Sequence, residues 1–235
     1  MSPFFFANAV VADAEVIADY YRQTYELQTS VIAYGAERLS EPPAAQHVHW
    51  SLTAGEYLLY VSRLEPENNA LGVIEAYVES EVKLPLVVVG DAPYADSYKA
   101  SLASCAQRVH APGRVVFTGF QFGSAYRELR ENCYAYVQAT EVGGTHPALL
   151  EAMAHGNCII ANDVPEHREV LAEAGLFYPK NDFSQLARLI RNVCLDTKAA
   201  KEMGLKAQLR AQEQYDWEII TNKYEHLLSK LALGD

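Results

Sequence analysis

The stretch EVGGTHPALLEAMAHG, residues 141–156, sets two glycines, a threonine, a histidine and a proline ahead of an apolar run carrying one carboxylate. Gly143 and Gly144 permit backbone angles closed to other residues. Thr145 or His146 can cap a helix. Pro147 suits the first helical position, where its missing N–H would be unpaired anyway. A helix starting there aims free N–H groups and its positive end at whatever lies before it, which is an anion site matched to phosphate. Glu151 falls one turn further, on the face of Pro147. Among Ala148, Leu149, Leu150, Ala152, Met153 and Ala154, that carboxylate needs a partner. A pair of sugar hydroxyls or a neighbouring arginine would serve.

Three other loops carry candidates. In VSRLEPENN (61–69) Arg63 offers a permanently charged planar fork suited to phosphate, unless it is spent on Glu65 or Glu67. In VVVGDAPYADSY (87–98) Gly90 ends an apolar run, and in FTGFQFGS (117–124) Gly119 does the same ahead of Phe120. Glycine there lets backbone approach a ligand, or simply makes a turn. His146, His155 and His167 lack metal-ligand spacing, and no Walker-type or G-x-S-x-G loop is present. The expectation is no metal and no cofactor.

The elements that must position these loops alternate. Strand-length apolar runs are EYLLYVS, LPLVVVG, RVVFTGF, CYAYVQAT, NCIIAND and GLFYP. Between and after them lie helical stretches: ENNALGVIEAYVES, YADSYKASLASCAQRV, SAYRELREN, PALLEAMAHG, VPEHREVLAEA and FSQLARLIRNVC. Residues 196–233 read as a C-terminal helical tail in two or three pieces, with Trp217 as a packing anchor. Strands without polar alternation, separated by single helices, predict an α/β fold: a Rossmann-like doubly wound parallel sheet, with ligands at the carboxyl ends of its strands. Ahead of it, FFFANAVVA reads as a strand, AEVIADYYRQTY as a helix capped by Asp13, and TSVIAY as a second strand. Residues 37–53, with paired prolines and no clear period, read as a linker.

The chain has 235 residues, half of them hydrophobic, and a net charge of −11. Without a basic stripe, nucleic acid and anionic membrane are not expected partners. No apolar run reaches the ~20 residues that span a bilayer. The apolar start has no basic segment before it and soon meets Asp13 and Glu15, so it reads as a strand rather than a leader. Cys105, Cys133, Cys158 and Cys194 form no C-x-x-C pair, which fits reduced thiols in a cytoplasmic protein.

YLLYVSRLEPENNALGVIEAY, LVVVGDAP, VVFTGF, EVGGTHPALLEAMAHG and the closing YDWEIITNKYEHLL together resemble the C-terminal, nucleotide-sugar-binding half of retaining glycosyltransferases of the GT-B fold. The resemblance covers residues 54–235. Residues 10–36 resemble the last strand–helix–strand of that family's N-terminal acceptor domain, so 1–36 read as a remnant of it and 37–53 as the interdomain linker. The resemblance implies a larger acceptor domain, through which a glycan or lipid-linked acceptor would bind, and no counterpart of its bulk is expected within these residues. The resemblance implies that Arg63 holds the donor diphosphate and that Gly90, Gly119 and Phe120 lie near the nucleoside. It implies that amides at the start of the 147–155 helix, including those of Leu149 and Leu150, meet the phosphates, and that Glu151 binds the ribose. Two positions depart from the family. The lysine expected five residues after the arginine is Asn68, and the glutamate expected eight residues before Glu151 is Gly143. PENN together with VGGT-x-P resembles a bacterial rhamnosyltransferase-like subgroup. This tilts the donor toward dTDP-rhamnose, with a UDP- or GDP-hexose next, and makes Glu141, Thr145 and His146 candidates to contact the sugar. The activity implied is metal-independent retaining transfer to a glycan. Two other readings stay open: a non-catalytic sugar-nucleotide-binding subunit or remnant that needs a partner N-terminal domain, and an epimerase-like enzyme.

Overall fold

The computed structural model describes residues 7–37, 50–110, 113–141 and 143–233. A two-stranded parallel pair, β1 (Val11–Ala12) and β2 (Ser30–Val31), flanks α1 (Glu15–Tyr25). Then follow β3 (Leu58–Val61), a 3-10 turn (Pro66–Asn68), α2 (Ala70–Ser80), β4 (Leu86–Val89), α3 (Asp96–Ala106), β5 (Val115–Gly119) and α4 (Gly123–Glu131). The chain continues with β6 (Ala135–Gln138), α5 (Pro147–Ala154), β7 (Cys158–Asn162), α6 (Pro165–Leu171), β8 (Leu176–Tyr178), α7 (Phe183–Leu195), α8 (Thr197–Gln214) and α9 (Trp217–Leu233).

β3 to β8 form one parallel sheet in the order β5-β4-β3-β6-β7-β8. Strands β3, β4, β6 and β7 are apolar on both faces because both faces are covered. Leu58, Tyr60, Val88 and Val137 pack under α2, α3 and α7. Tyr57, Leu59, Val87 and Tyr136 pack under α4, α5, α6 and α8. Leu149 and Leu150 of α5 are fully buried in the second layer, so truncating either to alanine costs about 2–5 kcal/mol. α8 crosses that layer so closely that a Cβ on Gly204 would lie 2.0 Å from the Gly156 carbonyl. The chain winds outward from β3 to β5, returns beside β3 as β6, and winds outward again to β8. The loops after β3 and β6 therefore part from each other and open a crevice at the carboxyl end of the sheet.

The structure corrects several local expectations. Only Val11–Ala12 of the first run and Ser30–Val31 of TSVIAY pair as strands; Phe4, Phe5 and Phe6 lie outside the described residues, as does most of the 37–53 linker. Asp13 does not cap α1. The N-cap is Ala14, and the amides of Glu15 and Val16 donate to the Glu169 carboxylate at 2.7 and 3.1 Å. A carboxylate on α6 thus does for α1 what Asp13 was expected to do, at the same electropositive end. The tail forms two helices, and Trp217 packs its ring over the Gly35 backbone, where a Cβ would come within 2.4 Å.

Candidate functional site

The loops after β3 and β6 meet in a cavity of about 410 Å³ lined by Arg63, Asn68, Thr140, residues 143–148 and Asp13. It lies at the switch point of the sheet. Arg63 reaches it on the β3 loop. Its guanidinium is largely exposed, 3.2 and 3.4 Å from the Glu65 carboxylate oxygens. The arginine end of this pair is exposed while the Glu65 side chain is largely covered, and a pair screened on one side is worth no more than about 1 kcal/mol. Asn68 supplies no cation. Its side-chain amide donates to the Arg63 carbonyl at 2.9 Å, and the Tyr60 hydroxyl donates to the Asn68 carbonyl at 2.5 Å. The residue at the lysine position thus pins the turn that presents Arg63.

α5 begins with Pro147 at its first position and His146 as N-cap, and neither Thr145 nor His146 caps it by a side-chain bond. The Thr145 hydroxyl donates instead to the Asp13 carbonyl. The amides of Leu149 and Leu150 already donate to the His146 carbonyl at 3.0 and 3.1 Å. They are not available to a ligand, which corrects the expectation for both residues. The amides of Gly144, Thr145, His146 and Ala148 have no hydrogen-bond acceptor among the described residues. An anion entering the cavity would meet these.

Gly143 has φ 138°, and a Cβ on it would lie 2.9 Å from His146 Cε1. The imidazole fills the space over residue 143, so a glutamate there and this His146 rotamer exclude each other. Gly144 is covered by Asp13, whose Oδ1 would stand 2.1 Å from an added Cβ.

The other candidates fall outside this cavity. Glu141 accepts from Asn69 Nδ2 at 3.0 Å and lies 3.7 Å from Lys180 Nζ. The Asn69 bond, with help from Asn181 and Lys180, holds its carboxyl below the ordinary value. It is engaged away from Arg63, Thr145 and His146. Gly90 and Gly119 bond to each other, N to O at 3.0 Å, beside a second cavity of about 240 Å³. Gly90 is required by close packing, since a Cβ there would lie 1.8 Å from the Ser62 carbonyl. Phe120 is 47% exposed and stacks on Phe122 at 6.2 Å. Glu151 lines a third cavity of about 570 Å³ with Tyr126, Arg130, His155 and Trp217. It pairs with Arg130 and accepts from Tyr126 at 3.1 Å, both through Oε2. The neighbouring arginine is therefore its partner here. Pro147 borders both the first and third cavities, so the start of α5 separates the Arg63 side from the Glu151 side.

A buried polar chain behind α5 was not foreseen. Tyr136 OH donates to Gln138 Oε1 at 3.1 Å, and Gln138 Nε2 donates to Thr140 Oγ1 at 2.6 Å. Thr140 Oγ1 lies 3.2 Å from both His146 Nε2 and His167 Nε2, and His167 Nδ1 lies 2.8 Å from the Asn162 carbonyl. The sequence signal was present: Gln138, Thr140 and Asn162 end strands that are otherwise apolar. Burial pushes His167 down to about 4 and lowers His146, with Asp13 opposing. Cys105, Cys133 and Cys158 are buried and unpaired, with thiols raised by burial. Among the described residues no group of three or more His, Cys, Asp or Glu could hold a metal ion, and no helix is long and apolar enough to cross a membrane.

Residues 48–210 match the family described as Glycosyl transferases group 1. The chain is 25% identical over 171 residues to the O-antigen chain mannosyltransferase B of Escherichia coli, covering 71% of this chain and 44% of that protein. It is 27% identical over 189 residues to the alpha-monoglucosyldiacylglycerol synthase of Streptococcus pneumoniae, covering 74% and 41%. It thus spans less than half the length of the curated relatives it matches. Anabaena HepE, solved with UDP-glucose, superposes with a TM-score of 0.83 at 21% identity, over 96% of this chain and 65% of HepE. Sucrose-phosphate synthase from Thermosynechococcus elongatus does so with a TM-score of 0.79 at 22% identity, over 97% and 59%. The parallel sheet, its switch-point crevice and the match over residues 48–210 together make the chain a member of the group 1 glycosyltransferases, carrying a Rossmann-like domain of the GT-B fold.

Proposed function

We propose that this chain is the donor-binding part of a retaining glycosyltransferase that takes a hexose or deoxyhexose from a nucleoside diphosphate and passes it to a glycan or lipid-linked acceptor. The observation that carries this reading is the 410 Å³ cavity in which an exposed arginine shares the lining with amides at the start of α5 that have no partner among the described residues. In a protein of net charge −11, Arg63 and the start of α5 supply the positive groups of this cavity, opposite the Asp13 carboxylate over Gly144, and a compact anion would be drawn to them. The diphosphate lies between Arg63 and the amides of residues 144–148. The nucleoside runs past Pro147 toward Glu151, whose Oε1 remains for a ribose hydroxyl beside the Arg130 pair. Gly90, Gly119 and Phe120 stand toward the base, and the sugar lies against residues 143–146.

Charge gathers on the departing diphosphate, and the arginine and helix end are aimed there before reaction, so little reorganisation is needed. The acceptor hydroxyl attacks the face that the diphosphate leaves, and the leaving phosphate takes its proton. Arg63 and the helix amides do the neutralising that a divalent cation does elsewhere. Residues 1–36 belong, on this reading, to the acceptor domain. The likeness of PENN and VGGT-x-P to rhamnosyltransferases favours dTDP-rhamnose as donor. The relatives named for mannosyl transfer and glucolipid synthesis, and the UDP-glucose complex of HepE, support a GDP- or UDP-hexose as the second choice.

Calorimetric titration with dTDP, UDP, GDP and ADP, with and without Mg²⁺, tests the reading. Metal-independent binding of one of them supports it and names the nucleotide. Failure to bind any of the four overturns it and favours a remnant or subunit without a working donor site.

A further inference from the structure

The buried chain behind α5 determines where the protons lie. The Asn162 carbonyl can only accept, so His167 Nδ1, 2.8 Å away, carries the hydrogen. Burial keeps that ring neutral, which leaves His167 Nε2 bare. The Thr140 hydroxyl, 3.2 Å from it, must give its one proton there. Thr140 Oγ1 already accepts from Gln138 Nε2. Its second lone pair faces His146 Nε2 at 3.2 Å, so that nitrogen must be the donor. One backbone carbonyl, with the Gln138 amide, thereby fixes the tautomer of a ring three hydrogen bonds away. His146 Nδ1, left without a proton in the neutral ring, makes no hydrogen bond to a described residue, and its ring is only part-buried. The ring that carries it lines the cavity beside Arg63. Three ionisable groups lie around this ring: Asp13 from the β1–α1 connection, His167 from α6 and Arg63 across the cavity.

We propose that the Asn162–His167–Thr140 chain holds His146 as its Nε2–H tautomer so that Nδ1 accepts a hydrogen bond from a hydroxyl of the donor sugar. This inference rests on the donor-site reading and adds to it. An acceptor for the sugar stands where Gly143 supplies no carboxylate, in the space that a side chain at 143 would have filled. Thr140 and His167 are positioning residues, whereas His146 touches the sugar.

Two substitutions at His146 separate contact from support. Asparagine places its amide at the level of Nδ1, and glutamine places its amide at the level of Nε2. The probes are UDP-glucose, GDP-mannose and dTDP-rhamnose, each titrated calorimetrically against its own nucleoside diphosphate. His146→Gln and Thr140→Val are expected to weaken the sugar nucleotide by about 3- to 10-fold, as for one lost hydrogen bond, while the nucleoside diphosphate stays within 2-fold, roughly the spread of a neutral change. His146→Asn is expected to keep most of the sugar-dependent affinity. The reverse order, with glutamine tolerated and asparagine not, overturns the proposal, as does equal loss for nucleoside diphosphate and sugar nucleotide. Long-range ¹H–¹⁵N spectra of the histidine-labelled free chain read the tautomer directly. A proton on His146 Nε2 that partly moves to Nδ1 in Thr140→Val is expected, and Nδ1–H in the parent chain refutes the assignment. If the parent chain binds none of the nucleotides, the donor-site reading fails and this inference fails with it. If it binds them and His146→Gln changes nothing, only this inference fails.

Discussion

Replacing Arg63 by alanine separates binding from folding more cleanly than any other change in this chain. The Arg63 side chain is 68% exposed and its ion-pair partner is Glu65. Its Glu65 partner is only 12% exposed but keeps the hydrogen bond from the Tyr94 hydroxyl; a pair screened on one side contributes about 0–1 kcal/mol, and Asn68 holds the turn through the Arg63 main-chain carbonyl, which the substitution keeps. The folded state should therefore lose less than about 1 kcal/mol. Binding is different. An arginine–phosphate contact is charge-assisted and two-pronged, and a hydrogen bond to a charged group is worth about 1.5–3 kcal/mol. At 1.36 kcal/mol per decade that is a loss of about 10- to 100-fold in affinity for a nucleoside diphosphate. Arg63→Lys keeps the charge without the fork and should fall between. Paired calorimetric titrations and thermal melts of the three proteins measure both quantities. Unchanged affinity in Arg63→Ala with an unchanged melt refutes the role of Arg63. A loss confined to stability shows that the arginine serves the fold.

Glu151→Ala leaves Arg130, whose side chain is only 10% exposed, without its carboxylate; a stability loss of about 2–3 kcal/mol is expected, read by urea unfolding. A loss below about 0.5 kcal/mol would show the pair to be incidental. Gly90→Ala forces a Cβ to within 1.8 Å of the Ser62 carbonyl at φ 130°. It should destabilise the chain by more than about 2 kcal/mol, whereas Gly119→Ala, with open space around its Cβ, carries only the strain of φ 68°, about 1 kcal/mol. Acid should also unfold the protein through its buried histidines. His167 is depressed to about 4 by burial, below the ~6.5 of an unfolded histidine. The unfolded chain binds the proton first, so this contribution is complete above about pH 6.5 and is lost as pH falls toward 4, reaching about 3 kcal/mol there. His155 acts in the same direction. Urea unfolding at a series of pH values checks this, and a flat profile between 6.5 and 4.5 would contradict it.

The sheet was legible in the sequence because its strands are apolar on both faces: LVVV and CIIA have nothing polar to place elsewhere. The start of α5 at Pro147 was legible because glycine and proline act locally, through φ and a missing N–H. What escaped depends on residues far apart in sequence. No local rule reveals that Glu169 caps α1 across more than 150 positions, or that Glu151 meets Arg130 from α4. Leu149 and Leu150 stood close to the cap, but a first turn tightened onto the His146 carbonyl had already taken their amides. Glu141 lies two residues from Gly143 yet turns to Asn69 and Lys180, because the residues after β6 diverge at the switch point. The buried chain from Tyr136 to Asn162 was announced only by polar residues ending apolar strands, a signal that names no partner.

The most direct test of the central claim follows backbone amide shifts as a nucleoside diphosphate is added to the ¹⁵N-labelled chain. The amides of Gly144, Thr145, His146 and Ala148 are the donors left open at the start of α5. They should move furthest, together with those around Arg63, while Leu149 and Leu150 move less because their amides are already bonded. Shifts centred elsewhere, or none at all at saturating nucleotide, would contradict the assignment of this cavity as the donor site.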